Sequence, residues 1–217
     1  ARIIGIDFNP AAKKLEKYGF EIFIGNQSDK NFWKEFYRKI GKIDILFDDG
    51  GHKNIQQIST VENSLEHIND NGIIVVEDTH TSFLKEFKNP SYFSFINYCN
   101  KLIKNIHKRC EWVSKKNNIY SNKIWSIDFY ESIVAINIDS KRCIKSSIIY
   151  NTDQWGAEND FRNNEYFLNT KEYIKNNLDF LNKIKITRKI IRKLFYKNIF
   201  IDLFEKLKIL KIFIKMK

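Results

Sequence analysis

The first half of the chain alternates short apolar runs with amphipathic stretches. The apolar runs have the length of strands and consist mainly of Ile, Val, Leu and Phe, as in strands that are buried on both faces. The stretches between them repeat apolar residues at helical spacing. The pattern predicts strands at residues 2–7, 21–25, 42–47 and 73–76, and helices at 11–18, 31–40 and 55–68. Strands that alternate with helices predict a parallel sheet covered on both faces.

The pattern changes after residue 90. Residues 91–110 have the spacing of an aromatic-rich helix, whereas 125–130 and 132–137 are two strand-like runs with almost no connector. So short a connection predicts antiparallel neighbours. The predicted fold class is therefore α/β, with a mostly parallel sheet and an antiparallel terminal strand.

The remaining chain is polar and then helical. We predict an α/β core at residues 1–140, a connecting, substrate-proximal segment at 141–182, and a basic amphipathic helical tail at 183–217. Trp155 in the connecting segment stands beside acidic residues, which suits sugar stacking, although a packing role is the stronger reading. Because the sequence begins at Ala1 inside an apolar run, we expect the core to lack its N-terminal part.

The positive charge is concentrated in the tail. The net charge is +11, and residues 183–217 hold twelve Lys or Arg side chains against two acids, so the rest is nearly neutral. A near-neutral body argues against nucleic acid as a partner. The binding partner of the tail stays open: it is a membrane surface, another subunit or partner protein, or nucleic acid, and nucleic acid ranks last. The chain has three cysteines without a CxxC pair and no long apolar run, which predicts a cytoplasmic protein. Binding of the tail to the inner face of the membrane stays open.

Polar side chains follow all four predicted strands of the first half. Ligands bind at the carboxyl ends of strands in open parallel sheets. Asp7 has the place of an acid that binds a ribose diol in nicotinamide and S-adenosylmethionine enzymes, or it caps the following helix. The other strand-end residues are Gln27, Ser28, Asp48, Asp49, His52, Glu77 and Asp78.

Three of these carboxylates, Asp49, Glu77 and Asp78, are expected close together on adjoining strands. Like charges in such proximity favour a bound cation. Hard oxygen ligands without cysteine indicate Mg²⁺, Mn²⁺ or Ca²⁺ rather than zinc. His52 has the chemistry of a general base. The alternative is that Asp48 or Asp49 caps a helix and His52 lies on the surface.

The stretches FDDGGHKNIQQISTVENSLEHINDNGIIVVEDTHTS and GIDFNP with IGNQSD resemble the macrocin and mycinamicin sugar O-methyltransferases and the related cephalosporin-biosynthesis enzymes. The similarity covers roughly residues 2–137. It implies a Rossmann-like methyltransferase fold of seven strands, the last antiparallel, and a reaction that uses S-adenosylmethionine and Mg²⁺ on a sugar hydroxyl, as in polysaccharide or glycolipid decoration.

The resemblance also implies roles for the strand-end residues. Asp49, Glu77 and Asp78 would bind Mg²⁺, and His52 would take the proton of the substrate hydroxyl. Asp7 would hold the donor ribose, Gln27 and Ser28 would lie near the adenine, and Asp48 would lie near the methionine end. His80 departs from the family pattern, which commonly has a glutamine-like residue there. Either it supports the site residues or contacts the substrate, or it is an incidental loop histidine, which is the interpretation we favour.

Two other functions remain open at this stage. A nicotinamide-dependent oxidoreductase would use Asp7 but gives the carboxylate cluster no role. A degenerate methyltransferase domain would bind a glycan or partner without catalysis. The glycine-rich donor loop that would decide between these functions is not in the sequence.

Overall fold

The computed structural model describes residues 1–87, 92–110, 113–114, 116–145 and 199–216, and in the last of these ranges the side chains of 206–207 and 209–216. The chain divides into two compact units, Ala1–Ile148 and Ile149–Lys217. Most of the predicted connecting segment, including Trp155, and residues 183–198 of the predicted helical tail lie outside the described residues. The division into core, connecting segment and tail therefore stays a prediction.

The first unit begins with a pair of parallel strands, β1 (Ile4–Asp7) and β2 (Glu21–Ile24), which form a two-stranded sheet. A 3-10 helix, Pro10–Tyr18, connects them. Asn9 caps its start by accepting a backbone hydrogen bond from the first turn. Gly19 ends it at a φ of 89°, a left-handed conformation that glycine adopts without steric cost.

Four further strands form a mixed sheet in the order β3-β4-β6-β5. β3 pairs with β4 in parallel, and β6 pairs antiparallel with both β4 and β5. Among the strands that the structure describes, β6 is the one that runs against its neighbours, and it comes last of them in the sequence. The predicted α/β class and the antiparallel pair are confirmed. The elements are α1 (Lys30–Ile40), β3 (Ile43–Asp48), α2 (Asn54–Ser64), β4 (Ile68–Val76), α3 (Phe95–Ile106), α4 (Ile119–Lys123), β5 (Ile124–Tyr130) and β6 (Ile133–Ile138) in the first unit, and α5 (Ile199–Lys215) in the second.

One face of the four-stranded sheet is buried against helices, and it carries the core. Ile74, Val76 and Ile136 are fully buried there, together with aromatic side chains of α1 and α3. The other face is open at β3, where Ile45 and Phe47 are 68% and 58% exposed. The prediction of a sheet covered on both faces is therefore wrong at this strand, which lies at the edge of its sheet.

The boundary between α2 and β4 also differs from the prediction. The periodicity predicts a helix to residue 68 and a strand from 73, whereas α2 ends at Ser64, a short 3-10 helix (Leu65–His67) follows, and β4 begins at Ile68. Ile68 is fully buried, so packing keeps it in the sheet. Because Ile43 pairs with Ile68 and Ile45 with Ile73, residues 69–72 form a bulge in the pairing of β4 with β3, although Gly72 still pairs with Ile138 of β6.

Candidate active site

The buried carboxylate of Asp48, at the end of β3, organises the loop that follows. The side-chain amide of Gln27 donates to both carboxylate oxygens at 2.7 Å, and the N–H of Gly50 donates to Oδ1 at 3.1 Å. Burial raises the pKa of Asp48, while hydrogen bonds from Thr60, Gly50 and Gln27 oppose that rise. The loop after β3 is therefore built around a desolvated but fully hydrogen-bonded carboxylate.

Gln27 joins the loop after β2 to the loop after β3. Besides Asp48, its Nε2 contacts the hydroxyl of Thr60 at 2.9 Å, and its Oε1 accepts a hydrogen bond from the N–H of Gly51 at 3.0 Å. A Cβ at Gly50 would lie 2.5 Å from this Oε1 and 3.0 Å from Oδ1 of Asp48, so a larger residue there would have to displace the amide of Gln27 from its hydrogen bonds. The polar atoms of Gln27, expected near an adenine, are thus bonded to protein groups in this structure.

Asp49, His52 and Asp78 come together where β3 and β4 end. One ligand atom from each lies within 4.8 Å of the others, and Nε2 of His52 lies 3.4 Å from Oδ2 of Asp78. Asp49 is exposed, whereas His52 and Asp78 are partly buried. Two carboxylates and an imidazole therefore share a small, solvent-accessible space.

The backbone at this cluster is held in an uncommon conformation. His52 and Asp78 each have a φ of 53°, in the left-handed region that residues with a Cβ seldom occupy. Such conformations cost of order 1–3 kcal/mol each and are concentrated at functional sites. The surrounding contacts must therefore hold both residues in place.

The cluster fits a divalent cation. Two ligands on opposite sides of an Mg²⁺ ion are about 4.2 Å apart, and around Ca²⁺ about 5 Å, so the separation of 4.8 Å or less is in the required range. Carboxylate oxygens suit Mg²⁺ and Mn²⁺, and a nitrogen ligand is better tolerated by Mn²⁺. The sequence predicts Glu77 as the third ligand, whereas among the described residues the cluster contains His52 in that position.

Thr81 ties the two strand-end loops together. Its buried hydroxyl lies 3.0 Å from the backbone oxygen of His52 and 2.8 Å from that of Asp78, and its own N–H donates to the oxygen of Asp78 at 3.0 Å. Both bridged residues are the ones with positive φ. The sequence gives no signal for this contact, because Thr81 is one polar residue in a stretch rich in Thr and Ser.

Replacing Thr81 with valine should weaken Mn²⁺ binding about 10–100-fold, because the isosteric side chain fills the space but cannot bridge His52 and Asp78. Titration followed by electron paramagnetic resonance of free Mn²⁺ measures the affinity. Thr81→Ser keeps the hydroxyl and should bind within about threefold of wild type, by the same reasoning. Equal loss in both variants, or no loss in either, would contradict the bridging role.

His80 and Ser132 extend the cluster on its other side. Nδ1 of His80 lies 3.8 Å from Oδ1 of Asp78 and 2.9 Å from the hydroxyl of Ser132, in the turn between β5 and β6. Asp78 therefore stands between two histidines, one near each carboxylate oxygen. The contact with Asp78 favours the alternative interpretation of His80, as a residue that supports the site, over that of an incidental loop histidine. The sequence does indicate that His80 lies near Asp78, because only one residue separates them. It does not indicate the contact with Ser132, which lies near His80 because β5 and β6 pair as antiparallel strands.

The remaining predicted residues are positioned as follows. Asp7 ends β1, is exposed, and accepts a hydrogen bond from the N–H of Asn9 at 2.7 Å, the contact of an Asx turn that precedes the helix capped by Asn9. Ser28 is partly buried after β2. The backbone of Glu77 is fixed by its N–H to the oxygen of Asp48 at 2.9 Å and by Gln57, whose amide donates to its oxygen at 3.0 Å. Their roles in binding donor or metal stay predictions.

Comparison with known proteins finds no matching family model. Two curated relatives align with part of the chain. L-olivosyl-oleandolide 3-O-methyltransferase from Streptomyces antibioticus is 31% identical over 30% of this chain and 17% of its own length. 8-demethyl-8-alpha-L-rhamnosyl tetracenomycin-C 2'-O-methyltransferase from Streptomyces olivaceus is 28% identical over 40% of this chain and 22% of its own length. The chain thus spans about a fifth of the length of these relatives.

Among solved structures, the chain is similar to the MycE methyltransferase from the mycinamycin biosynthetic pathway in complex with Mg and SAH. The TM-score is 0.61 at 21% identity, over 70% of this chain and 40% of MycE. A second MycE structure, with Mg, SAH and mycinamycin VI, gives a TM-score of 0.58 at 20% identity over 68% of this chain and 38% of MycE. This likeness shows the fold. The resemblance to sugar O-methyltransferases is confirmed, and the chain has a methyltransferase-like α/β fold with a mixed sheet.

Proposed function

We propose that this chain is part of an S-adenosylmethionine-dependent, Mg²⁺-assisted O-methyltransferase that acts on a sugar hydroxyl. The observation that carries the proposal is the cluster of Asp49, His52 and Asp78 at adjoining strand ends of a methyltransferase-like fold. Carboxylates and an imidazole within reach of one cation are what the activation of a hydroxyl requires.

In this proposal Asp49, Glu77 and Asp78 hold the cation, and His52 does not bind it and serves as the base. Bound Mg²⁺ supplies positive charge that stabilises a developing alkoxide. His52 accepts the proton of the substrate hydroxyl, and Asp78, 3.4 Å from its Nε2, favours the resulting imidazolium. Because Nε2 of His52 faces Asp78, Nδ1 is the nitrogen left to take the proton. Asp78 thus orients the base as the carboxylate of a catalytic triad does.

The methyl donor would lie along the ends of β1, β2 and β3. Asp7 is proposed to bind the donor ribose, and Ser28 to lie near the adenine. Gln27 and Asp48 bond to each other and to the glycine turn. We therefore assign them mainly the shaping of that turn, with Asp48 next to the methionine end of the donor.

The acceptor is proposed to be a sugar of a glycan, a glycolipid or a glycosylated metabolite. The printed names of the two curated relatives, which describe O-methylation of L-olivosyl and L-rhamnosyl compounds, support a sugar. Exposed Asp49 and half-exposed His80 leave the cluster open to a polar substrate of this kind. We propose a cytoplasmic enzyme in which nucleic acid is not a partner. An oligomer stays open.

Calorimetric titration of S-adenosylmethionine into the full-length protein, with and without Mg²⁺, tests the donor. Methyl transfer from labelled donor to a panel of sugar compounds tests the reaction. His52→Asn should keep donor affinity and lose about 10²–10⁴-fold in transfer rate, because it removes the base.

His107→Asn is the matched control, since His107 is exposed at the end of α3, away from the cluster. It should transfer at the wild-type rate. Failure of the wild-type protein to bind donor would end the proposal. Donor binding with equal transfer by both variants would keep the methyltransferase but remove His52 as its base.

A further inference from the structure

Helix α5 carries a dense set of exposed apolar side chains. From residue 207 to 216, every apolar side chain that the structure describes is exposed, from 46% at Leu207 to 78% at Met216. An apolar surface of this kind on a protein marks an interaction site.

Helical spacing divides this surface into rows. Leu207, Leu210 and Ile214 form one row, at intervals of three and four residues, and Ile209, Phe213 and Met216 form the adjacent row. Lys211 and Lys215, four residues apart, form a third row. Lys206 falls within the apolar half, at the beginning of the exposed surface. The helix therefore has a broad apolar half beside a basic row.

The length and charges of α5 decide how it can use this surface. Among the described helices there is none with the length and apolarity needed to cross a membrane. The sequence of α5 contains four lysines and two acids, and both acids, Asp202 and Glu205, precede residue 206, so the exposed end of the helix is basic. A second copy of α5 would bring like charge against like charge, and its apolar half is wider than the narrow seam of a coiled coil. An anionic phospholipid surface is complementary to both the apolar half and the basic row.

We propose that α5 lies in the plane of an anionic membrane surface and anchors this protein there. The rows that contain Leu210 and Phe213 enter the boundary between headgroups and acyl chains, while Lys211 and Lys215 contact lipid phosphates. Lys206 reaches the headgroups by extending its stem along the apolar surface. The proposal does not rest on the methyltransferase function, because it uses neither the donor nor the cation cluster.

Co-sedimentation of the full-length protein with phosphatidylcholine vesicles, with and without phosphatidylglycerol, tests the anchor. We expect at least tenfold tighter binding to the anionic vesicles, and weaker binding at high salt, from about a fivefold effect of each basic residue near the surface. Lys211→Gln with Lys215→Gln should lower the affinity about thirtyfold. Leu210→Ser with Phe213→Ser should abolish binding, because it removes the inserted surface.

Phe93→Ser is the matched control, since Phe93, at 74% exposure, is more exposed than Leu210 or Phe213 but lies in the first unit. It should bind vesicles as the wild type does. Circular dichroism shows whether each variant is folded, and donor titration shows whether the first unit is intact. Equal binding to neutral and anionic vesicles, or vesicle binding unchanged by both α5 variants, overturns the proposal. Self-association that the Leu210→Ser/Phe213→Ser variant abolishes, without vesicle binding, overturns it in favour of a second copy.

Discussion

Replacing Asp78 with asparagine is expected to lower Mn²⁺ affinity at least about hundredfold, because it removes the charge at the centre of the cluster while keeping the side-chain shape. Asp78 lies near His52 through one oxygen and near His80 through the other. Methyl transfer should fall by a similar factor at limiting cation. Paramagnetic resonance of free Mn²⁺ and a transfer assay measure the two effects.

Asp44→Asn is the control for this experiment. Asp44 is exposed on the same strand as Asp48, accepts a hydrogen bond from Asn69, and can keep that bond as asparagine. It should leave Mn²⁺ affinity unchanged. Unchanged affinity in Asp78→Asn, or equal loss in Asp44→Asn, would contradict a cation site at this cluster.

Glu77→Gln distinguishes the two ligand sets. The set inferred from sequence contains Glu77, whereas the described cluster contains His52. If the cluster is the binding set, Glu77→Gln should lower Mn²⁺ affinity less than about tenfold, as for a neighbouring charge. A loss as large as that in Asp78→Asn would support Glu77 as a ligand and leave His52 available as the base.

The order of strands and helices in the first half of the chain could be predicted because buried strands and helices require apolar residues at different spacings. Each predicted strand of this half lies at or within two residues of an observed one at its C-terminal end, which is why the strand-end residues were placed correctly on the sheet. The exceptions have local causes. Ile68 was assigned to a helix because its spacing fits one, but its burial in the core places it in β4. The short helix Thr79–Phe83 follows a residue with positive φ, which periodicity does not predict.

The contacts of the site could be predicted only in part. Residue types at strand ends predict a cluster of Asp49, Glu77 and Asp78 with His52 beside it, because neighbouring parallel strands end at one edge of the sheet. The described cluster contains Asp49, His52 and Asp78, and the part of Glu77 in it stays a prediction. The bonds from Gln27 to Asp48 and from Ser132 to His80 join residues that are far apart in sequence. Such partners depend on side-chain direction and loop conformation, which a hydrophobic pattern does not contain.

Truncating Phe95 to alanine should cost about 3–5 kcal/mol of unfolding free energy, the largest loss of stability that we expect from a single change. Phe95 is fully buried at the start of α3, in the same core as Ile74 and Ile136. Phe93→Ala, two residues away but 74% exposed, should stay within about 0.5 kcal/mol of wild type. Urea unfolding followed by circular dichroism measures both. Similar losses in the two variants would contradict the burial of Phe95.

Phe95→Ala also shows whether a loss of stability by itself lowers the affinity for Mn²⁺. The N–H of Phe95 donates to the side chain of Asn54, which begins α2 just after the loop that holds His52, and alanine keeps that donor. The folded fraction of Phe95→Ala should therefore bind Mn²⁺ within about threefold of wild type, as for a residue outside the ligand shells. Should it be largely unfolded, Phe95→Leu loses less volume and serves instead. Asp78→Asn should show the opposite result, with stability nearly unchanged and cation binding lost. If both variants instead lost cation affinity in proportion to their loss of stability, the cluster would be a consequence of folding rather than a binding site.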